Sequence, residues 1–269
     1  MNNIFRLSIA IQTMKDHWKT TVILALLFMG MATMYTGMFP SFEKTLIDMM
    51  NSEFIENFNF FPHANQMYTY VGFLTIELYN IFWLLLLAIM FGFIAASSIA
   101  KEIEGKTIDI LLSNPVSRKQ MVLEKFIGLL PMLFIINFSM MAVIMGITVV
   151  LNESLNYTNL FMVHLISILY FLAVISIGLL LSVIIDDKMK SSIFMIAILV
   201  GMFVFNSISL MAPDYKIIGL FSFLHYFDTF NVLQFGEIDA VGLALFIGVT
   251  IVCLLGAMIY FEKRDIEIT

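Results

Sequence analysis

The chain has 269 residues, 61% hydrophobic and only 13% charged, where a soluble domain carries about 45–50% apolar and roughly 25% charged residues. With 27 Phe and 21 Met this excludes a water-soluble globule, while 14 Gly, 5 Pro and a single Cys exclude collagen-like, low-complexity and disulfide-scaffold classes. A net charge of −6 offers no basic patch for nucleic acid.

A helix needs about 20 residues to cross roughly 30 Å of hydrocarbon, and six uncharged runs meet that length. Ahead of the first, residues 1–19 set Ile4, Leu7, Ile11, Met14 and Trp18 at helical spacing among polar residues. That pattern predicts an amphipathic helix in the membrane interface, anchored by Arg6, Lys15, Trp18 and Lys19. Thr20–Phe42 is the first span, too long for a signal peptide and closed by no A-x-A site. Residues 43–77 form an outer loop whose Phe54, Phe58, Phe60, Phe61, Tyr68 and Tyr70 suit the headgroup level. Leu78–Ala100 is the second span, residues 101–125 a charged hairpin, and Phe126–Asn152 the third span. The fourth falls within Ser154–Ile185, at about 158–185, with His164 near its outer end reading as an interfacial residue. Ser191–Pro213 is the fifth and Ala240–Phe261 the sixth. Between them, residues 214–239 mix acids with Phe221, Phe223, Tyr226, Phe227 and Phe230, which fits short half-inserted helices or a surface loop.

The runs are continuous and do not alternate with a period of two, so strand barrels are disfavoured and an all-α membrane protein follows, one transmembrane domain over 1–269. An even number of spans puts both termini on one side. Twelve of the fourteen basic residues fall on that side: Arg6, Lys15 and Lys19; Lys101, Lys106, Arg118, Lys119 and Lys125; Lys188 and Lys190; Lys263 and Arg264. Lys44 and Lys216 alone lie opposite, so both termini are expected in the cytoplasm.

The hairpin KEIEGKTIDILLSNPVSRKQMVLEK is the most informative stretch. Helical spacing continues from the second span and places Ile108, Leu111 and Leu112 on one face; Asn114-Pro115 stops the helix, and Ser117 with Gln120 reads as a capping box that starts the next. An apolar stripe outside the bilayer has to bury itself against headgroups or a partner. Gly105-Lys106-Thr107 looks like the end of a phosphate-binding loop, but that loop needs a glycine where Ala100 stands, so the chain has no nucleotide site of its own.

These residues resemble the membrane (permease) subunits of ATP-binding-cassette transporters of the type 2 exporter class. The likeness rests on Glu102, Glu104 and Gly105, on T-I-x-x-L-L-S-x-P-V-S-R over residues 107–118, and on Lys125. The closing Phe261-Glu262-Lys263-Arg264-Asp265 is similar to the family's usual tail. Many relatives carry Gly directly before the Thr, where this chain has Lys106. The resemblance implies that 101–125 is a coupling helix seated in a groove of a separate ATPase. Leu111, Leu112 and Pro115 would then make the buried contact and Glu102, Glu104 and Arg118 the polar rim, with Gly105 and Ile108 also among the coupling residues. It further implies two cytoplasmic ABC ATPase subunits binding ATP and Mg, a second permease copy or a sibling permease, and surrounding membrane lipid.

Competing classes have less support. A secondary transporter usually keeps ionisable groups at membrane depth, and the six uncharged runs hold no Asp, Glu, Lys or Arg. An intramembrane enzyme needs a nucleophile with a base, or a metal cluster; the four His at 17, 63, 164 and 225 are scattered and no H-E-x-x-H occurs, so no catalytic, metal or cofactor-binding residue is assigned. A structural anchor for a partner enzyme is the remaining alternative. A charge-free interior suits export of hydrophobic or amphipathic molecules such as peptides, antibiotics or lipid-like compounds from the plasma membrane.

Overall fold

A computed structural model describes residues 7–50, 62–107 and 116–264. Among the described residues there is no strand, and six helices are long and apolar enough to cross a membrane. We number them α1 (Ser8–Met50), α2 (Tyr70–Glu104), α3 (Arg118–Leu151), α4 (Tyr157–Ile184), α5 (Lys188–Met211) and α6 (Ala240–Lys263). The all-α, six-span architecture expected from the hydrophobic runs is the one found.

Three boundaries differ from the expectation, one of them the end of α1, which runs eight residues past Phe42 into the expected outer loop. From Ser8 onward the amphipathic segment is drawn into α1, a single helix of 43 residues, about 65 Å long at 1.5 Å per residue and so twice the hydrocarbon thickness. Of its predicted stripe, Leu7, Ile11, Met14 and Trp18 are exposed, and Ile4 lies outside the described residues. Its other face, Ile9, Ala10 and Thr13, is buried against α3, where a Cβ at Gly128 would come within 2.8 Å of the Ala10 carbonyl. Glycine there lets the two backbones touch, which holds the segment in line with the span. The third difference is that α2 starts at Tyr70, ahead of Leu78. Glu77 interrupts the uncharged run, yet it lies half-buried inside the helix, so counting charges shortened this span.

The helix α2 is not uniform. It opens as an α-turn (Tyr70–Phe73), widens into a π-helix over Leu74–Leu87, returns to α over Ala88–Ser98, and resumes after a break as Ala100–Glu104. Central to the bundle is α4, which packs against α2, α3, α5 and α6. Small residues allow its closest approach: a Cβ at Gly178 would meet the Ala95 Cβ at 2.7 Å. Large rings fill the rest, with Trp83 edge-on to Phe28 and Phe171, and Tyr170 edge-on to Phe246.

His164 is not interfacial. It is fully buried, its Nδ1 2.9 Å from Asn137 Oδ1 and its Nε2 3.1 Å from the Tyr79 hydroxyl, while Asn137 Nδ2 donates to the His164 carbonyl at 3.0 Å. Beside it Trp83 Nε1 donates to Ser167 Oγ at 2.9 Å. These bonds tie α2, α3 and α4 together, since polar groups in hydrocarbon have to find partners within the protein. The stretch 213–239 folds as short helices, Pro213–Tyr215, Lys216–Gly219, Phe223–Tyr226 and Thr229–Phe235. It is packed into the bundle, because Phe223, Phe227 and Phe230 are buried and Phe223 lies 5.6 Å from the Phe246 ring.

Candidate functional site

The two stems of the 101–125 hairpin stand at one end of the bundle. Of the predicted coupling residues, Ile108, Leu111, Leu112 and Pro115 lie outside the described residues, as does the anchor Arg6. Lys15, Trp18 and Lys19 are exposed along α1.

The first stem does not continue as a helix through Gly105. Lys106 N–H donates to the Ile103 carbonyl and Thr107 N–H to the Glu102 carbonyl, with Lys106 at φ 53. That paired pattern, closed by a left-handed residue, is a Schellman stop. The glycine sits one position early: Gly105 has an ordinary φ of −77, while the left-handed position is filled by Lys106. The second stem starts as the sequence requires, with Ser117 Oγ accepting from Gln120 N at 3.2 Å. The return half of the capping box is missing, because the Gln120 side chain donates to Glu124 Oε1 at 2.7 Å instead.

Several charged residues of the stems reach another helix of the bundle. Glu102 takes Thr107 Oγ1 at 2.6 Å and the buried Lys125 ammonium at 3.4 Å, clasping the end of α2 to the start of α3. Glu104 Oε2 accepts the Lys188 N–H at 2.9 Å at the first turn of α5, where unpaired N–H groups and the helix dipole favour an anion. The Asp187 carboxylate caps the same turn, accepting from Lys190 N at 2.8 Å, and that bond holds its pKa below the usual value. Arg118 donates to the Phe261 and Arg264 carbonyls at the end of α6 and lies 5.7 Å over the Phe261 ring. Lys119 pairs with Glu262 at 2.6 Å, and Arg264 with Asp186 at 2.5 Å.

Two residues that sequence reasoning missed complete the arrangement. Glu124, fully buried on α3, accepts the Ile9 and Ala10 N–H groups at 2.8 and 3.3 Å, so it caps the start of α1. Its partners lie more than a hundred positions away in sequence, and no local pattern announces the contact. Ser182 on α4 sits at the break in α2, where its Oγ accepts both Ile99 N at 2.7 Å and Ala100 N at 2.9 Å. The carbonyl that Ala100 would have engaged, that of Ala96, accepts from Ser191 Oγ of α5 at 2.9 Å. A hydroxyl inserted into the ladder is an established cause of a kink, and here both freed N–H groups and the Ala96 carbonyl are satisfied from neighbouring helices. The hairpin stems are thus bonded to each other and to α1, α5 and α6, and the described residues contain no cluster able to hold a metal.

Family comparison agrees with the sequence motif: the model for the ABC-2 family transporter protein matches residues 10–266. The chain belongs to the ABC-2 transporter family. It is a permease subunit of an ABC transporter, a multi-pass membrane component and not itself catalytic, and membership implies partnership with ABC ATPase subunits. No curated protein matches the sequence.

Proposed function

We propose that this permease forms half of an export pathway for a hydrophobic or amphipathic substrate, driven by ATP hydrolysis in two cytoplasmic ATPase subunits that bind ATP and Mg. A second copy of the chain or a sibling permease completes the pathway in the plasma membrane, with both termini cytoplasmic. The observation that carries the reading is the set of ties at the hairpin stems: Glu102 to Lys125, Glu104 to α5, Arg118 to α6 and Glu124 to α1. Motion of the hairpin is delivered to several helices at once through hydrogen bonds and ion pairs. An ATPase that binds one arrangement of the hairpin more tightly than another shifts the population of the whole bundle by that difference in binding energy. Moving a two-state equilibrium from 1:99 to 99:1 takes about 5.5 kcal/mol of such a difference, within reach of a nucleotide cycle.

On this reading Ile108, Leu111, Leu112 and Pro115 enter the ATPase groove beside Gly105. Glu102, Glu104 and Arg118 serve the rim by bracing the stems, which refines a purely intermolecular role. Leu111→Asp combined with Leu112→Asp is expected to abolish copurification of the ATPase while the permease stays membrane-inserted and keeps its thermal midpoint. Unchanged copurification rejects the coupling assignment.

A further inference from the structure

At the end of the bundle opposite the hairpin, three buried polar atoms without a hydrogen-bond partner line one cavity: Thr75 Oγ1, Asn80 Nδ2 and Thr229 Oγ1. Thr75 and Thr229 are 1% exposed and Asn80 is 8% exposed. A buried polar group left unpaired costs stability, so three around one space call for an explanation.

The shape of α2 is what brings two of them together. Thr75 and Asn80 are five positions apart, and in an α-helix at 3.6 residues per turn that spacing turns the side chains about 140° away from each other. Both lie in the π-helical stretch Leu74–Leu87. With i→i+5 bonding, residues five apart stand one above the other. Widening the helix therefore turns two positions that an α-helix would separate into one polar face, and Thr229 of the short helix Thr229–Phe235 supplies the facing hydroxyl.

The chemistry of the lining selects the guest. Asn80 Nδ2 only donates, so the guest has to accept; the threonine hydroxyls serve either way. Asp228 lines the same space, but its Oδ1 accepts from Asn231 N and its Oδ2 is shared by His63 Nε2 at 2.7 Å and Asn231 Nδ2 at 3.0 Å. Its charge is thus taken up and does not recruit a cation. Of the remaining lining, Asn206 and Ser207 are polar, with Ser207 Oγ donating to the Phe203 carbonyl at 3.0 Å, while Pro62, Phe203, Leu224 and Phe227 are apolar. The cavity holds about 20 Å³, the room of one water-sized group. We propose that this chamber seats the uncharged polar end, a hydroxyl or carbonyl, of an amphipathic molecule whose apolar body continues along Phe203 toward the bilayer. The inference rests on the export reading above and narrows its substrate class to amphipaths with a neutral, hydrogen-bond-accepting end.

The test uses the full-length permease in phosphatidylcholine nanodiscs and a diazirine-bearing dodecanol, with crosslinks mapped by mass spectrometry. Label is expected on α2 near Asn80 and on α5 near Phe203. Dodecanol should compete, while dodecane and dodecanoate should compete at least about tenfold less well, the ratio that corresponds to roughly one hydrogen bond. Asn80→Leu should reduce labelling by about the same factor. Thr229→Val removes an unpartnered hydroxyl at nearly constant volume, so it should keep or raise the thermal midpoint while labelling falls. Label undiminished in Asn80→Leu and Thr229→Val, equal competition by dodecane, or a Thr229→Val protein that unfolds earlier with labelling unchanged, as a water-only chamber would give, each overturns the proposal. Labelling does not involve the ATPase, so a failed copurification test with the chamber still labelled separates loss of the coupling reading from loss of the site.

Discussion

At the residue scale, Lys106 and Glu124 show how single side chains set the hairpin stems. Lys106 occupies a left-handed position at φ 53, which costs a residue with a Cβ about 1–2 kcal/mol that glycine avoids. Lys106→Gly is therefore expected to stabilise the permease by up to about 1 kcal/mol, read as a higher unfolding midpoint in detergent. A lower midpoint would mean that the lysine side chain contributes more than the backbone gains. Glu124 holds the opposite lesson, because its oxygen accepts from two N–H groups in the first described turn of α1. Glu124→Ala strands both donors and should cost about 2–4 kcal/mol. Glu124→Gln keeps an acceptor and should cost about 1 kcal/mol. Hydrogen exchange at Ile9 and Ala10 reads the difference directly, and equal protection in both variants would deny Glu124 its capping role. Neither effect is legible locally. A lysine before threonine looks like a helix surface, and a glutamate amid charged neighbours looks solvated, until the chain folds and sets each in its real surroundings.

At the scale of elements, the sequence is informative where a local rule decides. Asn156 and Ser117 start their helices by accepting nearby N–H groups. The outer limit of α2 and its internal changes of helix type escape such rules. Leu74–Leu87 is apolar nearly throughout, so periodicity cannot separate a π-helix from an α-helix there. The break at Ile99 depends on Ser182, which approaches from another helix. This break joins the hairpin stem to the span. Ser182→Ala leaves the Ile99 and Ala100 N–H groups unpaired in an apolar setting, and the expected loss is about 2 kcal/mol. The control is Ser176→Ala, since Ser176 Oγ bonds only the Leu172 carbonyl of its own helix. Its loss should be well under 1 kcal/mol. Equal midpoint shifts for the two variants would reduce Ser182 to ordinary packing.

At the scale of the whole molecule, the fold is set by where charge is permitted. Hydrocarbon rejects charge, so helices are confined to apolar stretches, and the few ionic groups gather at the ends. Six spans are legible for this reason, whereas Glu77 and His164 are misplaced by it: each lies inside a helix and is accommodated by burial or by partners from other helices. The same arithmetic predicts orientation. The hairpin, the turn between α4 and α5 and the end of α6 are joined by Glu104–Lys188 and Arg118–Phe261 contacts, so their basic residues share one end of the bundle. Lys216 stands after α5, at the far end. Positive charge is retained on the cytoplasmic side during insertion, which predicts Lys190 inside and Lys216 outside. In a Cys253→Ser background, Lys216→Cys should react with a membrane-impermeant maleimide on intact cells and Lys190→Cys only after permeabilisation. Cys253 is partly accessible on α6 and has to be removed for the readout to be clean. The reverse pattern would put the hairpin beyond reach of any cytoplasmic ATPase. Reaction of both sites in intact cells would deny that the helices separate two compartments, so this one measurement bears on the orientation and on the energy source together.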